Sequence, residues 1–179
     1  MANHGVLIGN KYLAKDNDVL VRPVVSASAI DNGYVFNLLS QSATAGQTEA
    51  WTATWPVTGS LVGLWMAYEP ELPSAFAGTK QYRGFGTVQD FYNVAGQVFT
   101  AIKISVGDIY TMSIDVMSGV VSTGDYLVAA DSAYQLAWSA AGVNSTTIMK
   151  RLATTYMSLP DGSIGTQHIV AYKVEVLVA

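Results

Sequence analysis

Two Gly-Asp pairs, Gly107-Asp108 and Gly124-Asp125, each open a short alternating apolar run in residues 88–136. Ile109, Tyr110, Met112 and Ile114 follow the first pair, Tyr126, Leu127 and Val128 follow the second, and Ser118-Gly119 supplies a turn signal between them. Glycine enters positive φ without steric cost and aspartate bonds its own nearby backbone, so the pair suits a sharp entry into a strand. The two runs are therefore predicted to be adjacent strands of one sheet. The pattern describes a pleated scaffold and carries no chemistry of its own.

The same logic extends along the chain. Residues 19–25 and 34–39 are compact β-branched or apolar runs flanking Asp31-Asn32-Gly33, which predicts two strands joined by a turn. Residues 40–50 are small and polar and read as a loop. Trp51, Ala53 and Trp55 alternate with Thr52 and Thr54, placing both tryptophans on one face of an extended segment. Residues 61–68, LVGLWMAY, form a nearly continuous apolar run of strand length that is expected to be fully buried. Pro70, Pro73 and the glycine-rich YRGFG make residues 69–86 a long surface loop.

One short helix is expected, capped by Thr87, running through Gln89, Asp90, Phe91 and Tyr92 and ended by Gly96. Residues 139–145 read as a loop. Residues 146–157 fit either a strand or a helix by period, and their Thr and Tyr content favours strand. Val170, Tyr172, Val174, Val176 and Val178 alternate with Lys173 and Glu175, the pattern of a half-buried final strand, reached through the Pro160-Asp161-Gly162 turn. The expectation is an all-β barrel or sandwich-like domain over residues 19–179 with one short helix, preceded by an N-terminal arm at residues 1–18 that orders on contact with a neighbour. No convincing internal repeat is present.

Composition narrows the partners. The chain has 179 residues, enough for one domain with a sizeable core, and no cysteine, so neither disulfides nor thiolate metal clusters are available. Charged residues are 12% of the total, against about 25% in an ordinary soluble domain. Its surface is therefore rich in small neutral side chains or partly covered by other protein. The formal charge of −4 comes without any Lys or Arg run, which argues against nucleic acid. There is no basic segment followed by a long apolar core, so neither an export signal nor a membrane span is expected. Asn144-Ser145-Thr146 matches a glycosylation sequon, which without an export signal reads as chance.

Candidate reactive residues are few. His4 and His168 are the two histidines, and neither has an acidic neighbour in sequence. His168 falls in register with Val170 and Tyr172 and reads as a packed or hydrogen-bonded strand residue. Asp108, Asp115, Asp125 and Asp131 could in principle converge as an acid–base pair or a calcium site, but their positions at strand entries and turns favour structural roles. No phosphate loop, nucleophile elbow or metal-binding signature occurs, so no catalytic, cofactor or metal residue is assigned. Trp51, Trp55, Trp65 and Trp138 raise a separate possibility, because exposed tryptophans stack on sugar rings; Trp65, inside its apolar run, reads as core.

Several of these segments together resemble a known family. Asp90-Phe91-Tyr92-Asn93, Ala95-Gly96, Lys103, Val106-Gly107-Asp108, Gly124-Asp125-Tyr126-Leu127-Val128 and the closing Tyr172-Lys173-Val174-Glu175-Val176 are similar to the central and final parts of tailed-bacteriophage capsid decoration (cement) proteins. The similarity begins near residues 61–68 and leaves residues 1–60 outside it. It implies a virion structural protein, not an enzyme, that binds the outside of the head, often as a homotrimer, and ties neighbouring major capsid protein subunits together. It also implies synthesis in the host cytoplasm and assembly onto the capsid exterior. Mobility and composition make residues 1–18 and 69–86 the expected contact elements. The alternative from a different class is a glycan-binding β-domain, such as part of a phage fibre.

Overall fold

A computed structural model describes residues 4–7, 20–68, 92–121, 125–141, 146–160 and 166–179. The described chain is all-β, as the turn and alternation pattern predicted. Five strands, β1 (Val21–Ser26), β2 (Val35–Gln41), β3 (Trp51–Thr54), β4 (Trp65–Ala67) and β5 (Val98–Lys103), close into a small barrel in the order β1-β3-β2-β4-β5. Six more, β6 (Ile109–Ser113), β7 (Met117–Ser118), β8 (Tyr126–Ala129), β9 (Leu136–Ser139), β10 (Ile148–Pro160) and β11 (Thr166–Val178), form a sheet in the order β6-β11-β10-β8-β9-β7. None of the described helical segments is long and apolar enough to cross a membrane.

The barrel's filling follows from strand alternation. Val24, Phe36, Ala53, Phe99 and Ala101 point inwards and bury around Ile30, with Phe36 and Phe99 edge to face at 5.9 Å between centroids. Residues of opposite parity point outwards from the same wall. Leu64, Met66, Ile102 and Ile104 meet Tyr110, Met112, Leu127, Met149, Tyr172, Val174 and Val176 of the sheet in one continuous core. Barrel and sheet thus share the apolar layer between them, and each covers a face that water would otherwise reach.

Four expectations are corrected. First, β1 and β2 are not a hairpin: β1 pairs parallel with β3 and antiparallel with β5, while β2 lies between β3 and β4. Parallel pairing needs a crossover, and the segment containing Asp31-Asn32-Gly33 serves as part of one. Second, the two Gly-Asp strands β6 and β8 share a sheet but are separated by β11 and β10. Third, the apolar run 61–68 is a strand only at Trp65–Ala67; Gly63 at φ +70° breaks it, and Val62 is 44% exposed. Fourth, Ile114 leaves the alternation, because Ile114–Val116 form a 3-10 turn that bends the chain from β6 into β7.

Other expectations are met. Gly107 takes φ +90°, and β6 follows at once. Residues 148–160 are strand, and β10 pairs with β11 over its whole length. The connecting residues 161–165, the expected loop at 69–86 and residues 87–91 of the expected short helix lie outside the described residues, and the described end of that helix, Tyr92 to Gly96, is not helical. There Asn93 forms an isolated bridge with Ile30, and Gly96 sits in a turn at φ +76°. Of the segment read as an arm, residues 4–7 are built into the body. Val6 exchanges backbone and side-chain hydrogen bonds with Ser113, Leu7 bridges Met112, and both are buried.

Candidate functional site

The four candidate aspartates hold separate places in the fold. Asp108 is 2% exposed, and its Oδ2 accepts the Ser105 amide at 3.0 Å and the Tyr110 hydroxyl at 2.8 Å, so it closes the turn into β6. Asp125 forms an ion pair with Arg151 at the start of β8. Asp131 Oδ1 accepts the Thr58 amide at 2.7 Å and fastens the β8–β9 turn to the loop after β3. Asp115 lies in the 3-10 turn, where its main-chain carbonyl accepts Gln135 Nε2 at 3.1 Å. Among the described residues, no group of three or more His, Asp or Glu side chains is placed to hold a cation.

The histidines diverge. His168 is exposed, and its Nδ1 lies 3.0 Å from Ser158 Oγ on the paired strand, as a hydrogen-bonded strand residue should. His4 does have an acidic partner, supplied from far along the chain: Asp31 Oδ1 is 2.9 Å from its Nδ1, and the ring stacks on Tyr92 at 4.7 Å. The other oxygen of Asp31 accepts the Gly5 amide at 2.8 Å. Burial, together with the charge and hydrogen bond of Asp31, pushes the Tyr34 hydroxyl up to about 12. Asn93 Nδ2 completes the knot by donating to the Ile30 carbonyl at 2.9 Å and to Asn32 Oδ1 at 3.3 Å. This buried network joins the N-terminal segment to the barrel, and it was not legible from residues spaced so far apart.

The candidate histidines and aspartates among the described residues are engaged within the fold, and the described surface also offers apolar positions. On the outer barrel wall, Val21 and Val98 are 44% and 46% exposed. Beside them an open hollow of about 400 Å³ is floored by Pro23 and Val98 and walled by residues 46–50. Arg22 lies over the Trp51 ring at 5.5 Å from its centroid. The tryptophans separate by environment. Trp138 is buried edge to face on Tyr172, Trp65 and Trp51 are half-buried against the barrel core, and Trp55 is 47% exposed, 6.1 Å from the Tyr134 ring. Ser132, at φ +56°, sits in the turn before Tyr134 and donates to the Pro56 carbonyl at 2.8 Å. The last feature is the outer part of the β10–β11 hairpin, where Leu152 and Tyr156 are 44% and 64% exposed.

Neither protein-family models, nor curated proteins, nor solved structures give a match to this chain. Function is therefore argued from the surface itself.

Proposed function

We propose that this chain is a structural protein of a tailed-bacteriophage virion, a decoration protein that binds the outer surface of the head and stabilises the major capsid protein lattice as a homotrimer. The observation that carries the reading is a closed β framework whose charged side chains are few and whose exposed apolar positions, Val21 and Val98 around the barrel hollow and Leu152 and Tyr156 on the hairpin, are spread over its outside. Neutral and apolar surface of that kind suits contact with protein. Contacts repeated over a symmetric shell can each be weak and still hold, because linked sites raise the effective concentration.

The test mixes purified protein with expanded and unexpanded heads and follows co-sedimentation. Binding to expanded heads at a fixed ratio to the capsid subunit supports the reading, and absence from both pellets rejects it. A second reading rests on one observation, the half-exposed Trp55 beside Tyr134, which could stack on a pyranose ring. Retention on a glycan array, lost in Trp55→Ala, would favour a glycan-binding domain.

A further inference from the structure

The β10–β11 hairpin outruns the sheet that carries it. β8 pairs with β10 only at Ile148–Lys150, and the Arg151 amide donating to the Asp125 carbonyl at 2.8 Å is the last bond beyond. β6 pairs with β11 only from Ala171 to Glu175. Past these points, among the described residues, the two strands have only each other, up to Pro160 opposite Thr166. One broad face of this ribbon is covered, since Met157 and Ile169 pack with Ala171 against Val6. The other face shows Leu152, Thr154, Tyr156 and Ser158, all exposed.

Backbone polarity tells which groups line the free side of β10. Val176 donates to the Asp108 carbonyl and accepts from Gly107, so its amide and carbonyl face β6. Alternation turns Val174 and Tyr172 the same way and turns Ala171 and Lys173 towards β10, where Thr155 and Ala153 are their partners. Thr154, Tyr156 and Ser158 consequently direct their N–H and C=O groups outwards along the edge. Natural sheets blunt such edges with charge, proline or bulges. Here residues 152–160 contain no Lys, Arg, Asp or Glu, the proline comes at the far end, and the bulge, at Leu152, leaves the edge from Ala153 onward regular.

We propose that this edge pairs antiparallel with the same edge of a second copy, about a two-fold axis at Tyr156. The register follows from what is free. The Arg151–Asp125 contact and the bulge at Leu152 close the edge on one side and Pro160, which has no N–H, closes it on the other, so the open stretch of outward-facing residues, Thr154, Tyr156 and Ser158, is centred on Tyr156. An antiparallel self-pairing uses the whole of it only in that register. Tyr156 then faces its own counterpart, and Thr154 faces Ser158. Aromatic and hydroxyl pairs are favourable across strands, and no like charges meet, although each copy carries a net charge of −4. The isologous contact joins the two β10–β11 hairpins edge to edge where they extend past β8. It goes beyond the capsid reading and stands without it; within a shell it would link copies belonging to neighbouring trimers.

The absence of cysteine makes the test direct. In Tyr156→Cys the only thiol in each chain would lie across the axis from its mate, at a Cα separation of about 5.5 Å, within disulfide reach. Incubation of the dilute protein with oxidised glutathione should convert most of Tyr156→Cys to a covalent dimer. Val120→Cys, at a position 65% exposed in another part of the fold, should give at least tenfold less in the same time. Tyr156→Lys, which sets two like charges face to face, should halve the mass measured by sedimentation equilibrium. Equal cross-linking at positions 156 and 120, or an unchanged mass in Tyr156→Lys, overturns the proposal. So does cross-linking of Tyr156→Cys on heads to a capsid subunit carrying a cysteine in place of to its own copy, which would assign the edge to the shell.

Discussion

Asp31→Ala removes one side chain from the knot that holds residues 4–7 against the barrel, and its cost can be worked from the contacts. Asp31 is 6% exposed and accepts the buried Gly5 amide at 2.8 Å, with His4 Nδ1 at 2.9 Å. Stranding a buried amide costs about 1–3 kcal/mol, and losing a hydrogen bond to a charged group about 1.5–3 kcal/mol, less here because the histidine is partly exposed. The expected loss is about 3 kcal/mol. The segment could escape that penalty by detaching, but Val6 and Leu7 are 1% and 2% exposed. Uncovering two such side chains costs about 1.5–3 kcal/mol each, so detachment is no cheaper. For a chain of this size each kcal/mol moves the melting temperature by about 2–4 °C, which gives a fall of about 10 °C. Thermal denaturation followed by circular dichroism measures it, and Asp31→Asn, which keeps an acceptor for Gly5, should recover about half. Tyrosinate absorbance gives a second readout: the Tyr34 hydroxyl should titrate below its value of about 12, though not all the way to 10.0, since burial is the largest cause of its shift. A melting temperature within about 2 °C of the parent would refute the reasoning.

Three further outcomes are expected. Tyr34 holds its proton to about 12 in the fold against 10.0 unfolded, so its contribution is complete below pH 10 and is lost as pH rises from 10 to about 12. After allowance for partial exposure the loss is about 1–2 kcal/mol, seen as a falling urea midpoint that Tyr34→Phe flattens. Gly33→Ala should cost about 3 kcal/mol or more, because φ is +88° and the new Cβ would stand 2.9 Å from the buried Val116 Cγ1. Gly59→Ala, at φ +90° with open space around it, should cost only the backbone term of about 1–2 kcal/mol, and equal guanidinium midpoints for the two would contradict the close approach. Met149→Ala, fully buried between barrel and sheet, should lose about 2–5 kcal/mol while keeping a single transition by both tryptophan fluorescence and far-ultraviolet dichroism.

What could be read from the chain divides along physical lines. β11 was legible because one face is buried and one is not, so Tyr172, Val174 and Val176 alternate with Lys173 and Glu175. Gly107-Asp108 was legible because the turn's requirements are local. β10 was ambiguous between strand and helix for a visible reason: register shifts at Ile148/Met149 and Arg151/Ala153 break its period of two. Trp65 was read as core, and its half-burial reflects a barrel wall where each residue has an inner and an outer side. Pairings between distant segments left no local trace. Nothing near Val24 announces that Trp51 lies beside it in parallel, and nothing near His4 announces Asp31. The open edge of β10 was likewise hidden, since uncharged residues 152–160 look the same whether a neighbour covers them or not.

The apolar layer shared by barrel and sheet has a consequence for synthesis. All five barrel strands are made before the first strand of the sheet, so Leu64, Met66, Ile102 and Ile104 emerge on an outer wall whose cover has not yet been translated. At ribosomal speed the wait until Tyr172, Val174 and Val176 arrive is roughly 4–15 s, long compared with the collapse of a short chain. During that interval the nascent barrel presents a sticky flank to whatever lies near the exit tunnel. A ribosome stalled ahead of β11 would hold a product with every barrel strand in hand and its outer wall covered only in part, by Tyr110, Met112, Leu127 and Met149.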